Sequence, residues 1–239
     1  MNHPRTSVVT AAAFAIVLAC NDSGSLGPIS DPDYDPMLDP ADFGGPIDNP
    51  LFPLVPGTTF HYEGESEDGP QSNDVTVTHE TRQIMGITAT VVRDVEFVAG
   101  QLVEETFDWY AQDDDGNVWY LGEDSHEFED GEPVESGSWE AGVDGAKAGI
   151  IMKADPQVGD RYYQEFYIGE AEDEGEVIAV NQSVTVPFGE FSGCVRTADF
   201  TRLEPDQLEN KVYCPGVGLV SEGSADGEES NELVDVETP

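Results

Sequence analysis

Asp113, Asp115 and Asn117 place three oxygen-bearing side chains around Gly116 in the run Asp113-Asp114-Asp115-Gly116-Asn117. Carboxylate and amide oxygens are the ligands that calcium takes. The EF-hand pattern fails here. With Gly116 at the sixth loop position, Ala111 falls at the first and Gly122 at the twelfth, where acids are required. A looser calcium site built on the three residues is one reading. A charged hairpin turn, in which Gly supplies a positive φ, is the other. His61, His79 and His126 are far apart in sequence, and neither His79-Glu80 nor His126-Glu127 is followed by the second His of a zinc motif. No nucleophile elbow and no phosphate-binding Gly-rich loop is present. Paired carboxylates abound, but in so acidic a chain they do not single out glycosidase-like chemistry. The chain therefore reads as non-enzymatic, with no cofactor other than a candidate calcium ion.

Cysteine carries the clearer signals. Cys20 closes the run Val17-Leu18-Ala19-Cys20, after an apolar stretch from Val8 to Ala19 that holds no charge and follows Arg5. A basic start, a short apolar region, a small residue and then Cys is the order of a bacterial lipoprotein signal peptide. The stretch is shorter than the roughly 20 apolar residues that span a bilayer. Residues 1–19 are thus expected to be removed and Cys20 to become a lipidated N-terminus. This places the protein in the bacterial cell envelope, with its membrane as a partner and its domain exposed to the periplasm or exterior. Similarity to lipoproteins implies a diacylglyceryl group on the sulfur, often with a third chain on the amine. Several chains anchor where one, at about 0.8 kcal/mol per buried methylene, holds weakly. Cys194 and Cys214 lie in strand-like segments on either side of residues 203–207. A hairpin about that turn sets them opposite each other, and an exported protein folds where disulfides persist. A Cys194–Cys214 disulfide is expected.

Charge excludes one class of partner. Fifty acidic residues face nine Lys plus Arg, a formal net charge of −41. Such a surface repels phosphate, so nucleic acid is not a partner. Anionic headgroups are repelled as well. Acid is spread over nearly every turn, which favours a solvated surface suited to high salt over a cation-binding surface. With 38% hydrophobic residues and three Trp, the chain can still bury a core.

The elements that position these residues are strands. Asp-Pro recurs at Asp31-Pro32, Asp35-Pro36 and Asp39-Pro40. Each Pro blocks helix and the like charges extend the chain, so residues 20–48 read as an acidic, Pro-rich tether. Residues 57–63 read as a first strand, and period-two alternation follows through 75–80, 88–98, 102–112 and 117–122. Further strands are expected at 149–152, 161–167, 176–180, 184–188, 194–201, 211–214 and 218–221. No amphipathic helix of normal length is evident. Residues 49–221 therefore form one all-β antiparallel domain, a strongly curved sheet or barrel with few or no helices. Residues 222–239 are acidic and poor in apolar groups, and are expected to be disordered.

Aromatic residues suggest a ligand. On residues 107–111, Phe107 and Trp109 share one face and Asp108 and Tyr110 the other. Folding about Asp115-Gly116 places Tyr120 with Trp109, and sets Trp119 and Leu121 beside Tyr110. Both faces of the hairpin are then partly apolar, and Tyr162, Tyr163, Phe166 and Tyr167 repeat the doubling. Either the sheet is buried twice, by its own curvature and by loops such as residues 137–148, or Trp109, Tyr110, Trp119 and Tyr120 line a groove for a lipid or other apolar small molecule.

The stretches Asn49-Pro50-Leu51-Phe52-Pro53-Leu54-Val55-Pro56-Gly57-Thr58-Thr59, Gly116-Asn117-Val118-Trp119-Tyr120-Leu121-Gly122, Gly137-Ser138-Trp139-Glu140-Ala141-Gly142 and Pro215-Gly216-Val217-Gly218-Leu219-Val220 resemble a family of uncharacterised bacterial secreted proteins and lipoproteins. The likeness covers residues 49–221 and brings no catalytic residues with it. Cys214-Pro215-Gly216-Val217-Gly218-Leu219-Val220 also resembles the ends of half-barrel envelope lipoproteins, which implies a ligand-holding antiparallel sheet by analogy. The leading expectation is a lipid-anchored binding or structural module. Its rival is a calcium-dependent surface module or hydrolase built on Asp113 and Asp115.

Overall fold

The computed structural model describes residues 33–129, 131–134, 137–205 and 207–239. Cys20 and the signal segment lie outside the described residues. The chain is all-β, as its alternation predicts. The long strands are β1 (Thr59–Ser66), β2 (Gly69–Ile84), β3 (Ile87–Val98), β4 (Gln101–Gln112) and β5 (Val118–Glu129). Short strands follow: β6 (Glu132–Pro133), β7 (Trp139–Glu140), β8 (Lys147–Met152), β9 (Arg161–Tyr163) and β10 (Glu165–Phe166). The chain ends with β11 (Asp173–Val186), β12 (Gly189–Thr201), β13 (Glu209–Cys214), β14 (Gly218–Ser224) and β15 (Ser230–Glu237). The described helix is a single 3-10 turn, Pro40–Asp42, capped by the Asp39 carboxylate on the Ala41 N–H.

Thirteen strands follow one antiparallel path, β10-β8-β5-β4-β3-β2-β1-β15-β14-β13-β12-β11-β9. Its two ends are neighbours in sequence. β9 pairs with β11 and β10 with β8, and only Gln164 separates them. The sheet thus curls back on itself into a nearly closed barrel, which leaves few strand edges unpaired. Inside it lies the larger apolar cluster, including Phe60, Tyr62, Val77, Val92, Val177, Val195, Tyr213, Val220 and Leu233. Residues 47–54 plug one end. Ile47, Leu51 and Leu54 join that cluster, and the Asn49 amide donates to the carbonyls of Gly116 and Lys153.

A second cluster covers the outside of β3, β4 and β5. Trp139, Ala141 and Ala146 pack on Ile84, Ile87, Val91, Trp109 and Leu121, with Leu38 and Phe43 beside them. The doubly buried sheet expected from the aromatics is realised by the segment 139–148 together with part of the N-terminal stretch.

Both expected tails are shorter than the sequence reading has them. Within the supposed tether, Tyr34 packs against Tyr163 and Phe166, with ring centroids at 4.7 and 5.1 Å, and its hydroxyl donates to the Ala148 carbonyl. The few apolar side chains of that Asp-Pro segment find an apolar face to cover. Nor are residues 222–239 disordered. β15 lies between β14 and β1, with Leu233 fully buried. Leu233 and Val236 supply enough apolar surface for a strand whose backbone is paired by two neighbours.

The expected disulfide is present. Val195 pairs with Tyr213 across β12 and β13, which sets Cys194 opposite Cys214, their Cα atoms 4.2 Å apart. Both half-cystines are fully buried in the barrel core.

Candidate functional site

Cross-strand register defines what faces the lumen. Directly opposed residues share a face. One row runs Phe60–Val75–Asp94–Thr106–Ser125, and the next runs Tyr62–Asn73–Glu96–Glu104–Glu127. Across the barrel, Val195–Tyr213–Leu219 gives way to Thr197–Lys211–Glu222 and then to Asp199–Glu209–Ser224. Several strands therefore change from apolar to acidic along the barrel axis, in steps of two residues. Val92, Asp94 and Glu96 show this on β3; Tyr213, Lys211 and Glu209 show it on β13.

Two cavities result. The first, of about 170 Å³, is bounded on its apolar side by Phe52, Leu54, Phe60, Val92, Tyr110 and Tyr213, and on its polar side by Asn73, Asp94, Asp108, Lys211 and Glu222. The second, of about 530 Å³, is polar and bordered by Glu104, Glu123, Glu165, Asp173, Asp199 and Glu209. Lys211 borders both. Its ammonium lies 3.7 Å from Asp199, 3.7 Å from Glu209 and 3.8 Å from Glu222.

Burial of carboxyls beside one another shifts their protonation. Desolvation pushes Asp94 up to about 8, and the nearby Glu222 adds to the rise while a hydrogen bond from Asn73 opposes it. Asp94 is part-buried and borders the first cavity. Glu96 rises to about 7 through burial and then through Glu104. Asp108 and Glu165 lie well above the carboxylate range, mainly through burial. The Asp108 carboxyl accepts the Tyr120 hydroxyl at 2.5 Å, and that hydroxyl also lies 2.8 Å from Glu123. Lys211 moves the other way from the usual effect of burial: its acidic neighbours outweigh desolvation and hold it charged.

The four aromatics expected to line a groove separate. Tyr110 borders the first cavity, with Phe52 edge-on at 5.3 Å. Tyr120 stacks on Tyr110 at 4.8 Å and meets Trp139 edge-on. Trp109 packs in the outer cluster beneath the Arg82 guanidinium, 3.8 Å from its ring centre. Trp119 is also at the outer cluster, its indole N–H donating to Asp113. The expected pairing of faces was off by one residue. Gln112 pairs with Val118 and Tyr110 with Tyr120, because the loop holds five residues, closed by the Asp113 N–H on the Asn117 carbonyl. A one-residue slip exchanges the faces. A bulge follows at Gly122, where φ is 133° and the Trp139 carbonyl would lie 2.3 Å from any Cβ.

The Asp-rich turn is organised by its own hydrogen bonds. Asp113 accepts from the Asn117 N–H, the Asn117 amide and Trp119, while Asn117 Oδ1 accepts from Ala154. Gly116 does adopt a positive φ, 90°. Asp115 takes no part in this network, and among the described residues no group of three His, Cys, Asp or Glu is placed to hold a metal ion. What sequence reasoning missed is the buried acid of the lumen. Its signal was available: Asp94 and Glu96, like Glu104 and Asp108, recur at even spacing within β-rich runs.

No protein-family model matches this chain, and no curated protein matches it. Two solved structures do. One is a protein described as exported, with a YmcC-like fold, from Bacteroides fragilis, 15% identical over 79% of this chain and 99% of that one, TM-score 0.42. The other is a protein described as a lipoprotein from Parabacteroides distasonis, 14% identical over 78% and 98% of the two chains, TM-score 0.43. At such scores the likeness assigns neither ligand nor activity. Among the described residues no helix is long and apolar enough to cross a membrane.

Proposed function

We propose that this protein is a non-enzymatic binding module, tethered through an acylated Cys20 in the bacterial cell envelope, that holds a small apolar ligand inside its barrel. The observation that carries the reading is the first cavity. It is bounded by Phe52, Leu54, Phe60, Val92, Tyr110 and Tyr213, with residues contributed by β1 to β4 and by β13 and β14. A cavity of about 150 Å³ lined by apolar side chains suffices for benzene. The site here is of that order, so the ligand's apolar part is a single ring or a short branched chain rather than an acyl tail.

The test is a thermal denaturation series on the full chain with ethylbenzene. Ligand at a hundred times its Kd stabilises by about 2.7 kcal/mol, so a rise in Tm that grows with concentration is expected. An unchanged Tm up to the solubility limit of ethylbenzene overturns the reading. Anchoring is tested separately: Cys20→Ser is expected to move the protein from the membrane fraction to the soluble one.

A further inference from the structure

Building on that binding role, we infer that the ligand is a small amphiphilic cation, an apolar group bearing a primary ammonium, whose head is received by Asn73, Asp94 and Asp108. The polar wall of the cavity is rich in acceptors. Asn73 is 9% exposed and borders the cavity; its amide donates to Asp94 at 2.7 Å, and its Oδ1 has no hydrogen-bond partner. A buried amide oxygen left unpaired costs free energy that an incoming donor recovers.

Donors are scarce by comparison. The Tyr62 hydroxyl, on the same wall, is directed at the Leu219 carbonyl. Lys211 is shared among Asp199, Glu209 and Glu222. Among the described residues no cationic side chain forms an ion pair with Asp94 or Asp108, and none is among the chief influences on either carboxyl. A ligand that brings three N–H donors and a positive charge matches this wall, and a ring on the same molecule matches the wall of Phe60, Val92 and Tyr110 facing it. Asp94 and Asp108 hold their protons in this wall, and an ammonium seated beside them favours the ionised form, so binding releases protons. Carboxylate or phosphate ligands do not match, since they would oppose that ionisation and add acceptors to a wall already rich in them.

Phenethylamine, its uncharged isostere ethylbenzene, and methylamine separate the outcomes. Each is titrated into the full chain by calorimetry in 1 M sodium chloride, which screens the acidic exterior. Phenethylamine is expected to bind at least tenfold more tightly than ethylbenzene, and methylamine not to compete with it. Asp94→Asn is expected to weaken phenethylamine about tenfold and ethylbenzene much less, so that the preference for the amine shrinks at least fivefold. Asn73→Ala, which removes the unpaired oxygen without adding charge, is expected to weaken it about threefold and serves if Asp94→Asn fails to fold. Ethylbenzene binding as tightly as the amine overturns the inference and leaves the apolar site standing. Equal binding of methylamine overturns it as well, since the acids alone then explain the affinity. If none of the three binds, the binding role itself falls.

Discussion

The plugged end of the barrel and its acidic end are built by the same strands, often by residues two positions apart, yet they obey opposite rules. At the plugged end Val77, Val92, Val195, Val220 and Leu233 interlock with Leu51 and Leu54, and the Cys194–Cys214 bond ties β12 to β13. Stability there comes from apolar area removed from water. At the other end Asp199, Glu209 and Glu222 surround Lys211, and burial opposes ionisation of Glu96, Asp173 and Asp199. The difference teaches that a closed sheet need not have a uniform interior. Period two decides only which residues face inward; what they are sets a gradient from oil to acid. The first cavity sits where the gradient crosses over, and a molecule with one apolar and one cationic end follows it.

The largest expected effect tests the plugged end. The bond closes a loop across a separation of 20 residues, for which the chain-entropy account gives about 3 kcal/mol. Cys194→Ala with Cys214→Ala is therefore expected to lower unfolding stability by about 3 kcal/mol in urea titrations, with m somewhat larger because the denatured chain is no longer cross-linked. A loss below about 1 kcal/mol would mean that apolar packing alone holds β12 to β13 and that the bond adds little at this end.

Much of this fold was legible and the gradient was not. Alternation and turn residues located most of the strands, and the spacing of Cys194 and Cys214 about a turn gave their pairing. β15 was lost because Leu233 and Val236 stand among acids that look like a disordered tail; the segment becomes a strand because β1 and β14 both offer it partners. Tyr34 was lost for a similar reason, since nothing local shows that Tyr163 and Phe166 await it. For the site, Tyr110 was found and Tyr120 was found behind it, but Trp109 and Trp119 lie on the outer side. Composition misled most about Asp94 and Asp108. In a chain with 50 acidic residues an acid looks like surface, and only closure of the barrel reveals which ones are inside.

A smaller effect tests the acidic side of the crossover. Asp94 binds its proton up to about pH 8 in the folded protein against an ordinary value of 3.8, and Glu96 up to about 7 against 4.5. Between those limits the folded state carries more protons than the unfolded one, so stability falls as pH rises. It is fully present below about pH 4 and lost as pH climbs through 7 and 8. Asp94→Asn removes one such group. The variant is expected to match the parent at pH 4, to exceed it by about 1 kcal/mol at pH 8, a small part of what about 1.4 kcal/mol per pKa unit would give a fully dry carboxyl because Asp94 is only part-buried, and to show a shallower decline between. A variant that is less stable than the parent at pH 8 would show that the Asp94 carboxylate is satisfied in the lumen, and the contrast between the two ends would lose its electrostatic basis.

The smallest effect separates the lumen from the exterior. Outside, Glu63 and Glu232 stand directly opposite each other on β1 and β15, an arrangement that costs stability through repulsion between like charges. Salt reaches such pairs, since the Debye length shrinks from about 8 Å at physiological ionic strength to about 3 Å at 1 M. Tm is therefore expected to rise by several degrees between 0.15 and 1 M sodium chloride, about what 1 kcal/mol produces in a domain of this size. The lumen carboxyls, walled off by strands, are screened far less. Asp94→Asn should shift Tm while leaving its salt dependence unchanged, whereas Glu63→Gln should reduce that dependence. If Asp94→Asn flattened the salt response as much as Glu63→Gln does, counterions would be entering the barrel freely, and the acidic end would be an extension of the solvated surface rather than an interior.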